Sequence, residues 1–138
     1  MKTLEKLVRA GGLELDNKRR ALNQLWGLRD DIMNQIRKLD QDLVTEAERV
    51  TASQDPAMLA AHGHYSTAVK TQQENLQSTI DELDNQIETA REELAEAFRQ
   101  VKRYETVLDD RRAQHRVRQD RLQQARIDEI ALGRRTQF

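Results

Sequence analysis

Apolar residues recur along the first part of the chain at alternating spacings of three and four: Leu4, Val8, Leu15, Leu22, Leu25, Ile32, Ile36, Leu39, Leu43 and Val50. They share one frame, whose remaining positions are Gly11, Lys18, Arg29 and Glu46. A second series runs Val69, Leu76, Ile80, Leu83, Ile87, Ala90, Leu94, Ala97, Val101, Tyr104 and Leu108, broken only by Gln73. Seven-residue repeats held this long predict supercoiled helices. Between the two series, TASQDPAMLAAHGHYS at 51–66 contains Pro56, Gly63 and a capping-type Ser66. The pattern predicts helix 1 over about 3–52, a connecting segment over about 53–65 and helix 2 over about 66–132. The expected fold is all-α, an antiparallel two-helix coiled-coil hairpin with helix 2 longer than helix 1, in a single domain over 1–138.

Folding the second series back on the first suggests a register. The frames superpose layer for layer when Val50 meets Val69, Leu43 meets Leu76, Leu39 meets Ile80, Ile36 meets Leu83 and Leu15 meets Tyr104. The exceptions then match as well, with Glu46 facing Gln73 and Arg29 facing the small Ala90, which leaves its stem a path to water. Sliding by one heptad sets Leu39 against Gln73, so the first register is the expected one. An intermolecular coiled coil would use the same heptads, because the repeat does not name its partner chain. The breaker-rich segment favours the hairpin.

The seam stops before the helix does. In the expected register Leu4 lies opposite His115, and the next frame positions are Arg111, His115 and Arg118 rather than apolar residues. Helix 2 would outrun helix 1 by nearly twenty residues, about 25–30 Å of single helix. Its apolar residues there are Val117, Leu122, Ala125, Ile127, Ile130, Ala131 and Leu132. At 100° per residue they scatter around the whole circumference. A helix that is apolar all round is usually surrounded. The sharp reading puts this basic open end inside another protein, and the bland one makes it a solvated, fraying tail.

Composition narrows the class. Charged residues make up 34% of the 138, against 4% aromatic, with a single proline and no cysteine. That is the vocabulary of long helices rather than of a round core. Without cysteine there is no disulfide framework and no thiol chemistry, which fits a reducing cytoplasm. No run suits a signal peptide or a membrane span, so the sequence reads as soluble unless a partner brings it to a membrane. Charge is segregated: residues 1–20 carry six Lys/Arg against three Asp/Glu, residues 109–138 eight against five, and the middle nine against sixteen. Paired Gly11-Gly12 would cost roughly 2 kcal/mol of helix propensity, so the first ten residues are expected to fray or kink.

The segments ELDNKRRALNQL at 14–25, NLQSTIDELDNQIETAREELAEAFRQVKRYE at 75–105 and RLQQARIDEIAL at 121–132 resemble the flagellar FliJ family. The likeness covers most of 13–134 and is nearest to the alphaproteobacterial branch. Heptad-rich segments carry it, and the DEI-A-L ending adds to it. The resemblance implies a stalk-like antiparallel coiled coil of the type III export apparatus. It implies that the open end enters the hexameric ring of the export ATPase, and that another part engages the cytoplasmic domain of the export-gate membrane protein. It assigns Leu4, Val8, Arg116, Arg118, Arg121, Leu122, Ile127, Ile130 and Leu132 to the ring-facing end. It assigns Met58, Leu59 and Tyr65 to the gate, with export chaperones as a further class of partner. The implied location is cytoplasmic, at the inner-membrane base of the flagellum. Gly11-Gly12 departs from the family's pattern.

Candidate chemistry is sparse. There is no phosphate loop, no GxSxG, no HExxH and no EF-hand spacing. His62 and His64 in HGH could offer two imidazoles to a metal, but incidental turn histidines are the expected reading, with no metal and no cofactor. The carboxylates of DELDNQIETAREELAE are spaced as a solvated helix face with i,i+4 partners. An enzyme is not expected. Nucleic acid is a rival partner for the basic end. It is disfavoured because Asp120, Asp128 and Glu129 are interleaved with the arginines and no aromatic platform is present. A structural adaptor or spacer between protein partners remains the alternative function.

Overall fold

The computed structural model describes Lys2 to Thr136. Two α-helices account for almost all of it: α1, Lys2–Ser53, and α2, Pro56–Thr136. The all-α hairpin with a longer second helix is therefore what the chain forms. Two compact units divide it. One comprises 17–94, the facing halves of α1 and α2 next to the turn; the other comprises 1–16 with 95–138.

In the unit of 17–94, the inward positions follow the heptad frame without a slip. Lys18, Leu22, Leu25, Arg29, Ile32, Ile36, Leu39, Leu43, Glu46 and Val50 are all shielded on α1, and so are Val69, Gln73, Leu76, Ile80, Leu83, Ile87, Ala90 and Leu94 on α2. Burial is deepest on α2, where Ile80 is 1% exposed. Two helices alone cannot enclose a core, so most of the α1 seam stays half-buried.

The connection is much shorter than expected. Helix 2 begins at Pro56, not near 66, and only Gln54 and Asp55 lie between the helices. Ser53 Oγ donates to the carbonyl of Val50 (2.8 Å), which helps close α1. Gln54 takes a left-handed φ of 53°, the turn residue that ends a helix and is usually glycine. The Ala57 amide donates to Asp55 Oδ1 at 3.0 Å, and the Leu59 amide to the Asp55 carbonyl at 3.1 Å. Asp55 is thus an N-cap and Pro56 the first helical residue, where a missing N–H costs nothing. The pair that looked like a breaker is a helix start. Gly63 lies inside the helix that follows.

That short turn also corrects the register. Gln73 Nε2 donates to the Ile36 carbonyl (3.3 Å) and to Asp40 Oδ1 (2.6 Å), which places it in the Leu39 layer. Arg29 Nε donates to Asp84 Oδ1 at 2.7 Å, and Lys18 Nζ to Glu93 Oε2 at 2.9 Å. All three belong to the frame one heptad from the expected one. The expected Glu46–Gln73 and Arg29–Ala90 facings do not form. A thirteen-residue connection would have centred the hairpin near residue 59; a two-residue turn centres it between 54 and 55.

In the unit of 1–16 with 95–138, α1 runs unbroken through Gly11-Gly12, without the expected fraying. Gly11 lies against Val101: a Cβ built on it would stand 2.9 Å from Val101 Cγ2. Packing against α2 at this close approach offsets the propensity cost. The last buried residue of α2 here is Leu108, and everything from Asp109 to Arg135 is exposed.

Candidate protein-docking surfaces

The free part of α2 is the first surface. Arg112 Nη2 donates to Glu5 Oε1 at 3.3 Å, the outermost cross-helix tie in its unit. A shallow groove of about 490 Å³ lies beside it, lined by Glu5, Val8, Arg9, Glu105, Leu108, Asp109 and Arg112. Beyond Arg112, α2 runs on alone to Thr136. At 1.5 Å per residue that is about 35 Å of single helix, longer than expected because the true register slides α1 back. Leu122, Ile127, Ile130 and Leu132 are 57–60% exposed, and Val117 is 48% exposed. Arg116, Arg118 and Arg121 stand among them, all exposed. Leu4 and Val8 differ from these. They are half-buried seam residues in the same unit and offer a partner little area.

The second surface adjoins the turn. Met58, His62 and Tyr65 recur at i, i+4 and i+7, so they share one face of α2. With Glu46, Val50 and Ala61 they line a cavity of about 370 Å³. The His62 and Tyr65 rings are tilted at 43° with centroids 6.4 Å apart. His62 Nδ1 is buried and makes no hydrogen bond. Leu59, on the neighbouring face, is 55% exposed. His64 is exposed while His62 points into the seam, because two residues along a helix turn through about 200°; the two imidazoles do not converge on one ion.

One surface feature escaped the pattern reading. Trp26, the chain's single tryptophan, flanks the seam of the 17–94 unit, 36% exposed. The guanidinium carbons of Arg29 and Arg91 lie 5.8 and 5.6 Å from its ring centroid. Arg29 is held there by Asp84, whose hydrogen bond raises the guanidinium pKa against the opposing effect of desolvation. The clue available in sequence was a large aromatic one position after Leu25, just off the a/d frame.

The profile of the flagellar FliJ protein family matches residues 1–135. The chain belongs to the FliJ family. No curated protein and no solved structure matches it closely enough to add a nearer relative. FliJ membership makes the chain a non-enzymatic component of flagellar protein export. The helical hairpin described above is the coiled coil expected of such a component. No described helix is long and apolar enough to cross a membrane.

Proposed function

We propose that this FliJ-family chain is a stalk or coupling component of flagellar export, whose free α2 segment is received by the hexameric export ATPase. One observation carries the reading. The seam ends at Leu108, yet α2 continues to Thr136 with apolar side chains exposed on every side. A single helix gains nothing in water from such a distribution, and it gains most when encircled. A surface patch meant for a flat partner would carry its apolar residues on one face.

The face around Met58, Leu59 and Tyr65 is the proposed contact for the cytoplasmic domain of the export-gate protein. Its support is the combination of exposed apolar groups with the open cavity beside His62. On this reading the protein works in the cytoplasm beside the membrane, held there by its partners, with export chaperones as further contacts. No nucleic acid takes part.

Truncation after Leu108 tests the main claim. It removes the exposed segment and leaves every buried residue in place. The truncated chain is expected to keep its helical circular dichroism and to lose co-elution with the export-ATPase subunit. Equal binding by both chains would refute the ring-facing assignment.

A further inference from the structure

The free segment of α2 changes character along its length. From Arg111 to Arg126 it holds six arginines and one acid, Asp120. From Ile127 to Arg135 it holds two acids, two arginines and the apolar Ile127, Ile130, Ala131 and Leu132. At 100° per residue the six arginines spread over about 220° of the circumference, too wide for one face, while the apolar residues scatter around all of it. Along the seam, cations are matched by carboxylates: Lys18 with Glu93, Arg29 with Asp84, and Arg112 with Glu5. Past that last pair the matching ends. Among the described residues, Arg111, Arg116, Arg118, Arg121 and Arg126 form no ion pair. Arg112 and Arg116 are one turn apart, as are Arg118 and Arg121, a spacing at which like charges weaken a helix.

We infer that this arginine collar sets the chemistry of the partner: a protein channel lined with carboxylates over about 22 Å, which admits one helix. The inference rests on the ring-binding reading and adds to it where acid and where apolar lining must lie. Carboxylates around the collar meet guanidinium forks over this wide arc, often two oxygens to one fork. A less charged, apolar zone follows for Ile127 to Leu132. A nucleic-acid groove would satisfy one face of the collar and leave the opposite arginines in solvent. Residues 109–135 also contain no Phe, Tyr or Trp to build a stacking platform for bases. The Glu5–Arg112 pair marks the mouth, because it is the outermost tie between α1 and α2 and a second helix would need a wider bore.

The test uses the full chain with Arg111, Arg116, Arg118, Arg121 and Arg126 changed to Gln, a residue of similar helix propensity. Arg112 stays, to keep its tie to Glu5. Each chain is titrated against the labelled export-ATPase subunit at low and high salt. The Gln chain should bind roughly tenfold more weakly or worse at low salt and lose most of the parent's salt dependence. A chain with Lys at the same five positions should retain most of the affinity. If the Gln chain loses helicity, the pair Arg118→Glu and Arg121→Glu replaces it, with the same loss expected. Parent and Gln chains binding alike, with one salt response, would overturn the collar and leave the ring-binding reading standing. Failure of the parent to bind would bring down both. Collar-dependent binding to duplex DNA in place of the ATPase would also overturn the inference.

Discussion

Two adjacent glycines show how differently one residue type can be used. Gly12 has open space where a Cβ would go, whereas Gly11 has Val101 Cγ2 at 2.9 Å from that point. Gly12→Ala should therefore stabilise the chain by about 1 kcal/mol, read by urea unfolding. Gly11→Ala gains the same propensity but drives a methyl into a β-branched neighbour, and it should give no net gain or a loss. Val101→Ala should relieve part of that penalty in the double variant, a coupling that the mutant cycle measures directly. Gln54 offers the opposite case. It holds a left-handed φ of 53° despite its side chain, a conformation that costs an L-residue about 1 kcal/mol. Gln54→Gly should raise the midpoint of thermal unfolding; an unchanged or lower midpoint would mean that this strain is not there to relieve.

At the scale of the element, the heptad frame was legible because both helices keep it without a stutter, from Leu4 to Val50 and from Val69 to Leu108. The turn was misread for a physical reason. Pro56 and Gly63 carry the signature of breakers, although Pro directly after Asp is also the start of a capped helix. Heptad periodicity could not correct the mistake, since a shift of seven residues maps every seam position onto another. The structure breaks the tie through polar groups: Gln73 reaching Asp40 and Arg29 reaching Asp84. Cysteines at Leu39 and Gln73 should therefore be joined within one chain by a short bismaleimide in dilute solution. Cysteines at Leu39 and Ile80, about 10 Å out of step along the axis, should not. The reverse result would restore the longer connection.

For the whole molecule, the clearest message of the sequence was the mismatch between where apolar pairing stops and where the helix stops. That mismatch survives the change of register and grows with it. The candidate ring-facing residues Arg116, Arg118, Arg121, Leu122, Ile127, Ile130 and Leu132 all fall on exposed helix, while Leu4 and Val8 serve the seam. Periodicity could not separate these two groups, because the boundary depends on the register. Family membership then supplies the setting, flagellar export.

The two-residue turn has a consequence for how such chains can change in length. A residue inserted into one arm between the turn and the end of the seam must be answered by one in the other arm. Otherwise every layer beyond it is misaligned. Past Arg112 no such bookkeeping applies, so additions and deletions there leave the paired layers intact. Length differences among related chains should thus come as matched pairs flanking the turn, or accumulate freely at the carboxyl end, where they would alter the reach of the exposed helix.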